Sequence, residues 1–141
     1  MCMLREKKET PYFGKGGNMR PEDSILISTR KSLDLGEEST DFDDSIMMHI
    51  NAAIGILRQV GCGKHLVVVD EDQTWSDFLN PPTNEREEDA YNLVPNYIHL
   101  RTKILFDPPP PSNVQYYNMY IDEALWRIKT MYEDLSILKE E

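Results

Sequence analysis

The stretch Ile104–Ser112, which reads Ile-Leu-Phe-Asp-Pro-Pro-Pro-Pro-Ser, decides the fold of this chain. Proline fixes φ at about −65° and cannot continue a helix, because it lacks the backbone donor and its ring clashes with the preceding turn. Four consecutive prolines therefore predict a stiff extended strut between two helices, the second of which begins at Ser112 or Asn113. We expect this strut to project the last helix away from its own bundle at a fixed angle.

The chain after the prolines, residues 114–138, has the most regular helical pattern of the sequence. Leu125 and Tyr132 widen its apolar stripe beyond a two-stranded seam, which favours a bundle over an isolated coiled coil. The stripe itself consists of two interleaved series with seven-residue spacing, namely Val114, Ile121, Ile128 and Leu135, and Tyr117, Ala124, Met131 and Leu138.

The first half of this last helix carries a second apolar face, made by Tyr116, Met119, Tyr120 and Trp126. A small domain cannot bury two faces of its terminal helix, and an exposed apolar patch of this size marks a contact surface. We therefore predict that a partner or a sister subunit covers these four residues. The alternative is that the segment around residues 66–75 folds over them.

Two helices are predicted before residue 61. Apolar spacing and Pro21 at a first-turn position predict a helix over residues 21–33 that Gly36 ends. Thr40 and Asp43 have the spacing of a capping box, which predicts a helix over residues 40–60. The predicted core face of this second helix is Phe42, Ile46, Ile50, Ala53, Ile54 and Leu57, and Gly61-Cys62-Gly63 closes it.

The middle of the chain predicts a short extended or β segment around residues 66–75, followed by a single helical turn. Trp75 and Phe78 are expected to anchor that turn to the core. Helical periodicity returns over residues 84–106, where Pro95 is expected to break it into two segments, 84–93 and 95–106. The fold class is therefore mainly all-α, a small bundle of four to five helices with a long C-terminal helix.

Length and charge limit the classes of function. A chain of 141 residues is long enough for one domain, expected over residues 21–141, with residues 1–20 as a flexible, basic, glycine-dotted arm. The net charge is −10, concentrated in two acidic runs, residues 34–44 and 70–89. Because nucleic-acid binding depends on Lys and Arg contacts to phosphates, specific DNA binding is not expected. The sequence has no apolar segment with the length of a membrane span or the character of a signal peptide, so the cytoplasm is the expected compartment.

The sequence contains no recognisable motif for catalysis, cofactor binding or metal binding. His49, His65 and His99 have no nucleophile motif beside them, and the two cysteines, Cys2 and Cys62, form no Cys-x-x-Cys pair. A calcium loop starting at Asp70 would need glycine and glutamate where Trp75 and Pro81 stand. We predict no enzyme activity, no cofactor and no metal ion.

Several stretches together, in their order and spacing, resemble the head-tail connector (adaptor) proteins of long-tailed, siphovirus-type bacteriophages. The resemblance covers about residues 22–138, and residues 1–20 lie before the family pattern. The stretches that carry it are Ser39–Asp44 leading into Ile50–Ala53, then Thr74–Leu79, Leu105–Pro109 and Glu123–Arg127.

This resemblance implies a structural virion protein at the head-tail junction that is present in the host cytoplasm during assembly. Its copies would form a ring, a dodecamer if the ring follows portal symmetry, that docks on the portal protein and receives the neck, stopper or tail-completion protein. DNA would pass through the centre without specific binding, and no membrane would be involved.

Within such a ring, the second face of the last helix would lie between subunits. The acidic residues Asp70, Glu71 and Asp72 would line the lumen and repel DNA. The end that docks on the portal is expected to be Leu135–Glu141 or the basic arm. The alternative function is a phage DNA-packaging or regulatory DNA-associated helical protein, for which His99–Lys103 is the one candidate recognition segment.

Overall fold

The chain is a helical bundle. The computed structural model describes residues 20–36 and 38–140, and within them the side chains of residue 90 and of residues 134–140 are not described. The described residues form five helices and no strand, which confirms the predicted all-α bundle with a long C-terminal helix. The helices are α1 (Ile25–Ser32), α2 (Asp43–Gln59), α3 (Trp75–Phe78), α4 (Glu85–Phe106) and α5 (Pro111–Glu140).

The start of α1 differs from the prediction. Pro21 lies in a turn before the helix, and Ser24 is the N-cap, with its Oγ accepting a hydrogen bond from Ile27 N at 3.2 Å. Helix α1 also ends earlier than expected, because Leu33 follows it as C-cap and Asp34 has a φ of 64°. Gly36 therefore does not end the helix, and an aspartate provides the left-handed turn that was expected of glycine.

The capping box predicted for α2 is also wrong. Phe42 occupies the N-cap position, and no side chain caps the helix there. Asp43 is the first helical residue, and its carboxylate binds Arg30 of α1 instead of the start of its own helix. A buried cation attracts a carboxylate more strongly than a solvated backbone N–H does.

Helix α4 is the centre of the bundle and packs against α1, α2 and α5. The apolar periodicity of α2 is confirmed for Ile46, Ile50, Ala53, Ile54 and Leu57, which are all buried. The prediction is wrong for Phe42, which precedes the helix as its N-cap and is 48% exposed. From α4 the core receives Tyr91, Val94, Tyr97 and Ile98, and from α5 it receives Ile121, Ala124 and Ile128.

Helix α4 continues through Pro95, so the predicted break into two segments is wrong. A proline inside a helix costs about 3 kcal/mol through the lost hydrogen bond and the clash with the preceding turn. Pro95 is itself buried, beside the fully buried Val94 and Ile98. Each such apolar side chain contributes about 1.5–3 kcal/mol when buried, so the packing of this face outweighs the cost of the proline.

The proline run does not project the last helix away from the bundle. Helix α5 begins at Pro111, where a missing N–H is tolerated, so the connection from α4 is the short stretch 107–110. Thr130, in the second half of α5, lines the same groove as Arg86, near the start of α4, so α5 runs back antiparallel along α4. The prolines thus form the turn of a helical hairpin.

The segment 66–69 forms no strand, and α2 supplies its partner. Asn51 accepts a hydrogen bond from Val68 N at 2.8 Å through Oδ1 and donates one to Val68 O at 3.0 Å through Nδ2. One amide side chain thus replaces a neighbouring strand. The single β-bridge among the described residues joins Ser24 to Thr74, ahead of α1.

The predicted closure of α2 by the Gly61-Cys62-Gly63 stretch is confirmed, because both glycines have positive φ values, 93° and 91°. At Gly63 a Cβ would overlap the ring of Phe78. Gly55, in the middle of α2, has open space around it.

We expect Gly63→Ala to lower the free energy of unfolding by about 2 kcal/mol or more, because the substitution strains the backbone and displaces Phe78. Gly55→Ala is the matched control and should raise it by about 0.5–1 kcal/mol, because alanine favours helix. Urea denaturation followed by circular dichroism measures both values. A neutral Gly63→Ala would contradict the packing described for Phe78.

Burial of the His99 ring makes the stability of the fold sensitive to acid. Its Nε2 atom is buried and has no hydrogen-bond partner among the described residues, and the ring meets Trp75 edge-on at a centroid distance of 5.8 Å. Burial lowers the pKa of His99 to about 4. The unfolded chain, with a histidine pKa of about 6.5, therefore binds more protons than the folded chain between these two values.

The stabilisation from neutral His99 should thus be complete above about pH 6.5 and should disappear as the pH falls towards 4, with a loss of up to about 3 kcal/mol. We expect His99→Leu to show a shallower decline of unfolding free energy over this interval than the wild type. Equal slopes in urea titrations at pH 6.5 and 4.5 would show that His99 is not responsible for the acid sensitivity.

Candidate assembly surface

The exposed side of α5 carries the four residues that the sequence placed on a second face. Their exposed fractions are 67% for Tyr116, 59% for Met119, 51% for Tyr120 and 63% for Trp126. Steps of about 100° per residue place them within an arc of about 120°, on the side of α5 opposite to Ile121 and Ile128. We call these four residues the α5 stripe.

The α5 stripe is large for an exposed apolar surface. Aromatic residues bury roughly 150–250 Å² each, so the exposed parts of the four side chains amount to about 500 Å². A stable protein interface buries about 800 Å² on each partner. The stripe can therefore supply more than half of one side of an interface.

Two charged residues beside the α5 stripe, Glu123 and Arg127, neutralise each other. Arg127 Nη2 and Glu123 Oε2 are 2.7 Å apart, one helical turn from each other, and both side chains are more than half exposed. Such surface pairs contribute little to stability, typically below 1 kcal/mol. Aromatic residues, methionine and arginine are the types enriched at interface cores; the stripe contains the first two, and Arg127 lies beside it.

A groove between α4 and α5 continues from the stripe. Trp126 and Arg127 form one end of it, and Leu93 and Met131 give it apolar walls. Asn92 and Asn96 add amide groups from α4. The α5 stripe and this groove together form one continuous surface on the α4–α5 hairpin.

The loop before α3 carries Asp70, Glu71 and Asp72, and we call it the acidic loop. A buried arginine, Arg30, holds it in place. Arg30 is fully buried and donates to Asp43 through Nε at 2.9 Å and through Nη2 at 2.7 Å. The same Nη2 donates to Glu71 at 2.6 Å. Hydrogen bonding to Asp43 raises the pKa of Arg30 above its usual value, although burial acts in the opposite direction. Arg30 therefore joins α1, the start of α2 and the loop before α3.

The three acids assigned to a lumen have different roles in this loop. All three are exposed, and Glu71 is in addition bound to Arg30. Asp70 Oδ1 accepts a hydrogen bond from Asp72 N at 2.8 Å, which shapes the turn. A shallow depression between α2 and the loop is lined by Asp43, Asp44 and these three acids. Their assignment to a lumen remains a prediction.

Trp75 and Phe78 lie at the other end of the same loop and are fully buried. Trp75 Nε1 donates to Ser28 Oγ of α1 at 3.2 Å. Thr74 N donates to Asp77 Oδ2 at 2.9 Å, which closes the first turn of α3. The loop is thus fixed at both ends, by Arg30 and by these aromatic side chains.

Two residues that position the loop before α3, Arg30 and Asn51, were not predicted from the sequence. Arg30 stands in the buried stripe of α1 with Leu26, Thr29 and Leu33, and a charge at that spacing was the available signal. The contact of Asn51 with Val68 could not be read from spacing, because its partner lies 17 residues away in a loop.

Reactive groups are not arranged for chemistry in the described part of the chain. No group of three or more His, Cys, Asp or Glu side chains there could hold a metal ion. Cys62 is buried, and burial raises its thiol pKa to about 12, against a hydrogen bond with Tyr132 that lowers it. A thiol that stays protonated is a poor nucleophile. No helix in residues 20–36 and 38–140 is long and apolar enough to cross a membrane.

The contacts of Arg30 predict that removing Asp43 and removing Arg30 will cost different amounts of stability. Asp43→Asn leaves a buried cation with one remaining acid and should lower the free energy of unfolding by about 3 kcal/mol. Arg30→Met should cost less, because the carboxylates of Asp43 and Glu71 are partly exposed and can be hydrated.

Asp44→Asn is the matched control for this pair of variants, since Asp44 is the exposed neighbour of Asp43, and it should be nearly neutral. Urea denaturation of the three variants measures the order. Equal costs for Asp43→Asn and Arg30→Met would contradict the asymmetry.

Comparison with known proteins gives one match. The sequence model of a family described as phage connector protein matches residues 25–134, which is more than half of the chain and spans α1 to α4 and most of α5. No curated protein and no solved structure matches the chain.

Proposed function

The chain belongs to the phage connector protein family, and from this premise we propose that it is the head-tail connector of a siphovirus-type phage, assembled as a ring. The family is a structural one, and its members are virion components that interact with other head and tail proteins. The proposed ring docks on the portal protein, receives the next neck, stopper or tail-completion protein, and lets DNA pass through its centre. In this role the protein is not an enzyme.

The α5 stripe is the observation that supports ring formation. A head-to-tail ring needs two different surfaces on each copy, because each subunit has a different neighbour on each side. The stripe lies opposite the buried side of α5, so a neighbour can cover it without disturbing the core. We place Tyr116, Met119, Tyr120 and Trp126 between subunits.

The acidic loop is compatible with a channel for DNA. Asp70 and Asp72 are exposed, and the chain as a whole has a net charge of −10. Like charge prevents DNA from adhering to a channel wall, which a conduit requires. In the proposed ring, the copies are arranged with this loop towards the lumen.

The alternative of a DNA-binding regulator has less support. Its candidate recognition segment, His99–Lys103, lies in α4, where Thr102 is fully buried and His99 Nε2 is enclosed. Arg101 lies over the Tyr97 ring at 5.9 Å from its centroid, and Lys103 pairs with Asp107. Few positive charges of this segment are left for phosphate groups.

The ring is tested with Met119→Glu, and Met48→Glu is the matched control. The two methionines are almost equally exposed, 59% and 61%, but Met48 lies on α2, outside the stripe. A charge at a covered position must be desolvated, so Met119→Glu should raise the protein concentration needed for rings at least about tenfold. Met48→Glu should assemble like the wild type.

Light scattering after size-exclusion chromatography and negative-stain microscopy, each with and without portal protein, measure assembly. Thermal denaturation of the variants verifies that both remain folded. Wild-type protein that stays monomeric at all concentrations, even with portal present, would refute the ring. Equal loss of rings in both variants would refute the placement of the stripe.

A further inference from the structure

A second unpartnered surface lies on the loop before α3. Residues 67–69 alternate between solvent and core, with Val67 51% exposed, Val68 1% exposed and Val69 60% exposed. Alternation with a period of two indicates an extended backbone with one side towards the core. Two valine side chains therefore point into solvent side by side.

Only one edge of the backbone in residues 67–68 has hydrogen-bond partners among the described residues. Asn51 occupies the N–H and C=O of Val68. In an extended chain, the groups of the next residue point to the opposite edge, so those of Val67 point away from Asn51. Val67 has no hydrogen bond to another described residue, whereas Val69 N donates to Gln73 Oε1 at 2.8 Å. Val67 is thus free to pair with an additional extended segment.

Acidic side chains border this surface. Val69 lines the same depression as Asp44, Asp70 and Asp72, none of which has an ion pair with a described residue. A segment that fits here must be extended, partly apolar and positively charged.

Residues 1–19 of this chain have that composition. They contain Arg5, Lys7, Lys8 and Lys15 against two glutamates, and Tyr12-Phe13 is their aromatic pair. The rest of the chain is strongly acidic, so the charges of the two parts are complementary.

The chain also enters the described fold beside this loop. Ser76 N donates to Pro21 O at 2.9 Å, and Ile25 N donates to Gln73 O at 2.9 Å. The side chain of Gln73 in turn accepts from the N–H groups of Val69 and Asp70. Residues 10–15 precede Arg20 by five to ten positions, which an extended chain spans over roughly 16–36 Å. That reach covers the distance along one short loop.

We propose that residues 10–15 dock in extended form on the exposed valine surface of their own chain in the unassembled subunit. Tyr12 and Phe13 cover Val67 and Val69, and Lys15 pairs with the carboxylates of Asp70 and Asp72. The contact concerns the free subunit, so it does not depend on the ring proposed above.

Limited trypsin digestion of the full chain tests this proposal, with cleavage after Lys15 followed by mass spectrometry. Asp70→Asn/Asp72→Asn removes two charges and preserves the side-chain oxygen that accepts from Asp72 N. It should accelerate cleavage after Lys15 about fivefold, as expected from the loss of surface charge pairs. Salt at about 1 M, where the Debye length is about 3 Å, should accelerate wild-type cleavage similarly.

The matched control is Asp89→Asn/Asp122→Asn, which makes the same change of charge at exposed positions of α4 and α5. It should leave the wild-type rate unchanged. Phe13→Ser tests the apolar half of the contact and should also accelerate cleavage. All variants are expected to retain the wild-type melting temperature, because none of these residues is buried in the described core.

Three results would overturn the proposal. The first is a cleavage rate that is the same for the wild type and for Asp70→Asn/Asp72→Asn, and the second is equal acceleration in the control pair. The third is protection that increases with protein concentration, which would assign the arm to another copy of the chain.

Discussion

The run of four prolines from Pro108 to Pro111, the last of which begins α5, is the constraint on which the rest of the structure depends. The prolines end α4 after Phe106, and they allow α5 to begin at Pro111, where a missing N–H is tolerated. A connection this short forces α5 back along α4, and that return determines which side of α5 becomes core. Because Ile121 and Ile128 face α4, Tyr116 and Met119 must face solvent. The exposed position of the α5 stripe is therefore a geometric consequence of the turn.

A second constraint is polar and concerns the other side of the bundle. Arg30 has no exposed surface, so its charge requires partners inside the fold. It obtains them from Asp43 and Glu71, which are 13 and 41 residues away in sequence. Val68 and Trp75 hold the loop before α3 to the core through their buried side chains. The directional bonds of Arg30 and Asn51 orient the residues between and beside these two, and thereby determine where the acids and Val67 lie.

The sequence predicted those features that depend on local periodicity. Repeats of three and four residues correctly identified the buried residues of α2 from Ile46 to Leu57 and those of α5 from Ile121 to Ile128, because a helix that packs on one side must present apolar residues at that spacing. The predicted core positions Leu135 and Leu138 lie outside the described side chains. Prediction from the sequence failed where contacts with residues distant in the chain determine the local structure. Asp43 appeared to be part of a capping box, but Arg30 lies near enough to bind it. Pro95 appeared to be a break, but the burial of its neighbours outweighs the local cost. The proline turn was recognised, whereas its direction was not, since direction depends on the surface of α4 that receives α5.

The relation between fold and assembly follows from the α4–α5 hairpin. The buried side and the exposed side of α5 belong to one rigid helix. Any change that rotates α5 therefore moves the core residue Ala124 and the surface residue Trp126 together. A change confined to an exposed side chain of the stripe leaves the core untouched. Loosening the prolines must therefore affect folding as well as assembly, because the same turn positions both sides of α5. In the ring proposed above, the contact between copies can therefore change one exposed side chain at a time, while the turn itself is held by the stability of the monomer.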